Sequence, residues 1–329
     1  SLRLRMGRLV GRSFEPRLWI AQSVQFGGAA MAIWALLSRS GGGLWLFALV
    51  VYFATSCLGM AVTVHRSICH RAFKLHPMIE RAFSVFAAIG MTGSPLGWVG
   101  THRTHHAHSD GEGDPHGPEQ HGWSLLWKGP DPFVEGWRVK DVLRDPFQRE
   151  LHRYYLLVVG GWVALLVLID PVLVVFGFLI PASLQITTTN LSTILAHGHG
   201  YRNYETKDNS SNNILIAVLT WGEGWHNNHH ARPRDWSVSK RWWELDIAGW
   251  CVRGLAAVGL IDRDSFYEPL SAIWTSCGQT FSGWRVRAAT VSPSIPVFGG
   301  ARVTDGSFAG VMIQNTRFRM CARTAGGKA

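Results

Sequence analysis

The stretch "YYLLVVGGWVALLVLIDPVLVVFGFLIPASLQITTTNLSTILAH", Tyr154 to His197, decides the fold class. It holds a single acid, Asp170, and no Lys or Arg. A helix needs roughly 20 mostly apolar residues to cross about 30 Å of hydrocarbon. The block is too long for one crossing, and Asp170-Pro171 divides it into two, at about 154–170 and 172–197. Working outward, "LWIAQSVQFGGAAMAIWALL" (Leu18 to Leu37) and "LWLFALVVYFATSCLGMAVTV" (Leu44 to Val64) each have the length of one crossing. The pattern predicts an all-α, multi-pass integral membrane protein with four transmembrane helices in two hairpins. The apolar runs Ala82 to Met91 and Ile214 to Trp221 are too short to cross, so they are interfacial or packed inside.

Composition agrees: 47% of residues are apolar and only 16% charged, with 16 Trp. The net charge of +10 does not point to nucleic acid, because the basic residues form neither a stripe nor a nucleic-acid-binding motif. Arg3, Arg5, Arg8 and Arg12 precede the first span with no acid among them. By the positive-inside rule they place the N-terminus in the cytoplasm, and an even number of spans returns the C-terminus to that side. No small-residue cleavage site precedes a full-length span, so the leading segment does not read as a cleaved signal peptide. Cys57, Cys69, Cys251, Cys277 and Cys321 are scattered and odd in number, which fits a reducing face and no disulfide framework.

The 15 histidines are unevenly placed. His65 and His70 lie in "HRSICH", just past the second span; His102, His105 and His106 in "HRTHHAHSD"; and His226, His229 and His230 in "GEGWHNNHHARP". Helical positions i, i+3 and i+4 share a face, so each triplet can converge and form half of a site. On an ideal α-helix His65 and His70 diverge by about 140°, which predicts that they reach different metals. An isolated His such as His76, His121, His152 or His199 reads as a hydrogen-bonded core or interfacial residue. Eight imidazoles gathered together could not all stay protonated, and neutral imidazole is a metal ligand.

Ordinary catalytic zinc takes three protein ligands and keeps one position open, so eight His point to two metals. A nitrogen shell suits iron, copper, zinc or nickel rather than magnesium or calcium. Zinc has no redox chemistry, so oxidative chemistry would make iron the leading candidate, with zinc an artefactual substitute.

The order HxxxxH, HRxHH, HNNHH, with spans at these intervals, resembles the membrane-bound fatty acid desaturases, in particular the bacterial type of the Δ9 acyl-CoA and acyl-lipid branch. "WVGTHRTHHAHSDGEGDPHGP", "DVLRDPF", "NNILIAVLTWGEGWHNNHHARP" and "RWWELDIAGW" extend the likeness over about residues 15 to 265. The resemblance implies a cytosolic helical cap holding a dinuclear iron site with nine His ligands: the eight above and His197, at the end of the fourth span. It also implies an Asn one turn before that His, holding a metal through water. Thr193 occupies that position here, and Asn190 is the nearest Asn. Metal-bound His usually donates its second N–H to a carboxylate or carbonyl. Asp110, Asp114, Glu223, Asn227 and Asn228 are placed to serve, and Glu112 reads equally well as a turn residue in "SDGEGDPHGP".

The implied reaction is oxidative: O2, two electrons and two protons produce a cis double bond, expected at Δ9, in a saturated acyl chain of acyl-CoA or acyl-lipid. Gly100-Thr101 stands where animal acyl-CoA enzymes of the family have Arg-Asp against coenzyme A, which weighs against that head group. No haem or iron–sulfur motif occurs in the chain. Electrons therefore come from a separate carrier of ferredoxin, rubredoxin or cytochrome b5 type with its NAD(P)H reductase, and a basic face would attract an acidic one. The same scaffold could yield a hydroxylase, acetylenase or oxidative decarboxylase. A zinc-dependent membrane hydrolase is the reading from another class. Residues 266–329 read as a poorly ordered or unrelated tail. From Arg263 onward eight Lys and Arg face three acids, half of the chain's net charge of +10.

Overall fold

The computed structural model describes residues 14–129 and 135–267. The tail expected beyond residue 265 and the arginines before the first span lie outside the described residues, apart from Phe266 and Tyr267. Among the described residues, three helices are long and apolar enough to cross a membrane: α1, whose apolar part is Leu18–Leu37, α2 (Gly42–Cys69) and α7 (Val172–Ala196). Between them come α3 (Pro77–Ile89), α4 (Pro95–His108), α5 (Pro146–Arg153) and α6 (Tyr155–Ile169). After them come α8 (Ile214–Leu219), α9 (His226–Ala231) and α10 (Ile247–Ala257).

The expected fourth span is α6. At 15 residues and ~1.5 Å per residue it extends only ~22 Å, less than the hydrocarbon thickness. It continues α5 across a 71° bend, so a fourth crossing exists only if this bent pair counts as one. α2 is longer, at 28 residues.

Outward-facing positions on these helices are apolar. Leu37 is 80% exposed and Leu168 83%, a surface suited to lipid rather than water. Where helices meet, small residues let backbones approach. A Cβ on Gly28 of α1 would sit 2.2 Å from the Leu179 carbonyl oxygen, and one on Gly59 of α2 would sit 2.5 Å from the Ala87 nitrogen on α3. One core cluster joins Val24, Ala88, Leu151, Leu166 and Ile186 of α1, α3, α5, α6 and α7. A second joins Cys57, Val62, Phe73, Trp236 and Val252, binding α10 to α2. The two-residue strands β1 (Lys74–Leu75) and β2 (Ile261–Asp262) pair antiparallel and tie the chain after α2 to the segment after α10.

The starts of the short helices are explicit in the sequence. Ser94, Asp145, Asn213 and Asp246 each accept a backbone N–H of the first turn they precede, and Pro follows at the first helical position of α4 and α5. These caps fix where α4, α8 and α10 begin, and so where the residues near the histidines point.

Candidate metal centre

Two groups of four histidines assemble where α2, α4, α7 and α9 end or begin. His65, His70, His102 and His229 form one group, and His105, His197, His226 and His230 the other, with the ligand nitrogens within 4.8 Å of one another in each. His106 stands between them. Its Nε2 is 2.9 Å from that of His229 and 3.0 Å from that of His102, while its ring lies 4.4 Å from that of His230. All nine expected histidines therefore converge, and His199, two residues after His197, joins neither group.

Each triplet is divided rather than dedicated. His102 and His229 face one group, and His105, His226 and His230 the other. Box neighbours three and four residues apart share a face but not a direction, which lets two short helices serve two positions. His65 and His70 depart from the expected divergence, since both belong to one group. The reason is backbone winding: Phe53–Cys69 is π-helical, and the His70 amide donates to the His65 carbonyl at 3.1 Å. An i→i+5 turn closes over about five residues, so this spacing returns to the same side where an α-helix would not.

Carboxylates orient four of the rings. The Nδ1 of His105 faces Asp114 at 2.9 Å, that of His197 faces Asp110 at 3.0 Å and that of His230 faces Asp208 at 2.6 Å. The Nδ1 of His65 meets Glu223. An Nδ1–H donated to a carboxylate leaves Nε2 as a lone pair. The Nε2 atoms of His105 and His230 are buried and have no hydrogen-bond partner among the described residues. Buried lone pairs turned toward one another are costly unless a cation sits among them. Neighbouring Nε2 atoms lie 3.0 Å apart in His70–His102 and in His197–His226. A donor set made of buried imidazoles fits transition-metal ions.

The electrostatics point the same way. Burial, and then the neighbouring imidazoles, push His70, His102, His105, His106, His226 and His229 well below the ordinary histidine value, so they are neutral and able to ligate. Burial raises the Glu223 carboxyl, yet His65 and Arg66 outweigh it and bring it down to about 2. Asp110 and Asp208 also end below the carboxylate range: burial opposes this, but their hydrogen bonds to His197 and His230 prevail. Asp114 is raised by burial.

Other expected residues act differently. Among the described residues, Asn227 and Asn228 make their hydrogen bonds to groups other than histidine rings. Asn227 accepts the amides of Asn203 and Tyr204, while Asn228 donates to the Val238 carbonyl and to Glu244. They clamp two loops to α9 and hold the backbone that carries His226, His229 and His230. Asn190 reaches the Leu126 carbonyl at 3.5 Å, and both it and Thr193 line a cavity rather than joining the histidine groups. Glu223 stands three residues before His226, the spacing of carboxylate-bridged di-iron bundles, but its carboxylate is engaged by His65 and Arg66.

Three residues went unnoticed in the sequence. Asp208 orients His230 from a loop outside every box, with no local signal. Arg66, buried, donates to Glu223, to both oxygens of Asp246 and to the Trp236 carbonyl. His116 stacks on His105 with ring centroids 4.2 Å apart and forms a third cluster with His105 and Asp114. "DPH" could have suggested it. The cavity, of about 380 Å³, is lined largely by apolar atoms and reaches His65, His102, His116 and His226 at one side and Met91, Tyr155 and Ile186 elsewhere.

The sequence profile of the fatty acid desaturase family matches residues 43–258. An sn-1 stearoyl-lipid 9-desaturase of Anabaena variabilis is 34% identical over 228 residues, covering 65% of this chain and 80% of the relative. An sn-2 palmitoyl-lipid 9-desaturase of Nostoc sp. (strain 36) is 32% identical over 277 residues, 77% of this chain and 92% of the relative. An icosanoyl-CoA 5-desaturase of Limnanthes douglasii is 31% identical over 263 residues, 76% of this chain and 74% of the relative. Histidine groups able to hold metal beside an apolar cavity, and this match over most of the chain, lead to one conclusion: the protein belongs to the fatty acid desaturase family and is an oxidoreductase acting on fatty acyl chains.

Proposed function

We propose that the protein converts two adjacent methylenes of a saturated acyl chain into a cis double bond at the Δ9 position: –CH2–CH2– + O2 + 2 e⁻ + 2 H⁺ → –CH=CH– + 2 H2O. The carrying observation is that His65, His102 and His226 belong to the two histidine groups and also wall the apolar cavity. Two irons would be held by His65, His70, His102, His106 and His229 on one side and by His105, His197, His226 and His230 on the other. When bound they supply O2 activation and the power to oxidise unactivated C–H bonds. Glu223, Asp114, Asp110 and Asp208 keep protons on the Nδ1 atoms of their partners, so each Nε2 presents a lone pair. Met60, Ala61, Met91, Tyr155 and Ile186 hold the acyl chain, fix which carbons lie beside the histidines and exclude water. A lipid-linked substrate is favoured over acyl-CoA by the names of two of the relatives above and by Gly100-Thr101. The fold is read as four spans, counting α5–α6 as one, with both termini and the histidine cap on the cytoplasmic side. Electrons reach it from a separate carrier.

The test is product analysis of lipids from cells expressing the chain. A new cis monounsaturated acyl group with its double bond at carbon 9 is expected. A hydroxy acid, alkyne or terminal alkene in its place would reassign the outcome on the same scaffold. Turnover without O2 and reductant would point to a zinc hydrolase. An unchanged product from His226→Ala would remove the histidine groups from the reaction.

A further inference from the structure

Apart from the acyl cavity, an open cleft of about 320 Å³ is lined by Arg71, Arg103, Trp137, Arg138, Lys140, Asp141 and Arg144. Five of its seven residues are cationic and one is acidic. Asp141 is itself engaged: it pairs with Arg71 at 2.6 Å and with Arg103 at 2.7 Å. Arg103 also donates to the carbonyls of Ile68, Cys69 and Arg138, which holds the end of α2 against α4. Arg71, Lys140, Arg144 and Trp137 are exposed, and the Arg138 guanidinium lies 4.3 Å from the Trp137 ring. An exposed aromatic ringed by cations is the composition of a surface that binds an acidic protein.

Its position gives it a use. Arg71 follows His70 and Arg103 follows His102, so two walls of the cleft are one peptide bond away from two members of the first histidine group. The cleft shares no residue with the acyl cavity. Consecutive residues on a helix point ~100° apart. Accordingly Thr101 and His102 wall the cavity, while Arg103, next on α4, walls the cleft. A substrate's chain and the contents of the cleft thus approach the histidines from different faces of α4.

We propose that this cleft is the docking site of an acidic one-electron carrier protein, which delivers electrons to the centre beside His70 and His102. This rests on the desaturase reading, because only an oxidative reaction needs such a partner. Each double bond consumes two electrons. Two reduced carriers dock in turn, each leaves oxidised by one electron, and the two protons come from water.

The experiment uses the full chain in lipid nanodiscs and a strongly acidic plant-type ferredoxin with its NADPH reductase. Binding and turnover are compared for the parent and the double variant Lys140→Glu/Arg144→Glu, which leaves the histidines and the Asp141 pairs in place. The parent should bind ferredoxin with an affinity that falls steeply with salt, and the variant should bind about tenfold more weakly at low ionic strength. The KM for ferredoxin should rise in parallel, while kcat and turnover driven by dithionite and methyl viologen stay within about twofold. Equal ferredoxin binding by parent and variant overturns the proposal. So does a variant whose KM for the acyl substrate rises with viologen as donor, since the cleft would then hold a phosphate of the substrate's head group. If the parent binds ferredoxin through these residues but makes no double bond with either donor, the docking site stands and the desaturase reading falls.

Discussion

Asp208 and His230, 22 residues apart in sequence, meet at 2.6 Å between carboxylate oxygen and Nδ1. The contact fixes which nitrogen of His230 carries the proton and leaves its Nε2 buried without a partner among the described residues. Removing an outer partner of this kind usually costs about 10–100-fold in metal affinity. Asp208→Asn should lose iron in that range against a competing chelator, with its helical circular dichroism unchanged. An equal affinity would show that the tautomer is held by other means.

Arg66 is buried between two carboxylates, Glu223 and Asp246. Asp246 takes both terminal nitrogens, caps α10 through the Gly249 amide and accepts from Ser237. Stripping one partner from a buried ion pair costs about 3–5 kcal/mol. Asp246→Ala should therefore unfold at a markedly lower temperature in detergent, whereas Asp264→Ala, at an exposed turn, should not. A similar Tm for the two variants would disprove the buried network's role.

Ile186 of α7 walls the acyl cavity, 11 positions before His197. Ile186→Trp fills cavity space without touching a histidine. Turnover of long saturated chains should drop by about tenfold or more, since a displacement of ~1 Å can cost ~10²-fold, with bound iron unchanged. Gas chromatography of the products over a series of chain lengths reads this directly.

Gly59 packs against α3 so closely that any Cβ meets the Ala87 backbone. Gly59→Val forces the two helices apart, and overpacking of this kind costs about 1–3 kcal/mol. Gly27, whose Cβ would meet nothing within 4 Å, should accept Ala with little change in Tm.

The Asp141 carboxyl ends below the ordinary carboxylate range: burial raises it, but hydrogen bonds from Arg103 and then Arg71 outweigh that. A depressed folded pKa contributes stability that is present above the unfolded value, about 3.9, and is lost as pH falls through the folded one. The Tm advantage of the parent over Asp141→Asn should be constant from pH 7 to about 5 and should shrink below about 4. Because Asp141 is a third exposed, the advantage at pH 7 should be small. A gap that widened on acidification would reverse the assignment.

Much of this was legible in the chain. Apolar length alone marked α1, α2 and α7, because a bilayer imposes one dimension on every helix that crosses it. Histidine spacing marked the eight box histidines, the family likeness added His197, and sequence neighbours supplied Asp110, Asp114 and Glu223. Less legible was how the donors are shared. Division of each triplet between two groups depends on where α4 and α9 sit relative to α2 and α7.

The sequence by itself marked the helices α1, α2 and α7, the eight box histidines and the family likeness, since each depends on residue type at short spacing. Tertiary structure alone decided that His65 and His70 share a group, because π-winding over Phe53–Cys69 replaces the 3.6-residue period that spacing assumes. It also decided that Asp208 serves His230, that Asn227 and Asn228 brace loops rather than rings, and that the arginines after His70 and His102 gather in one cleft. These last three join residues from separate segments, and no local periodicity carries information about which distant segments a folded chain will bring into contact.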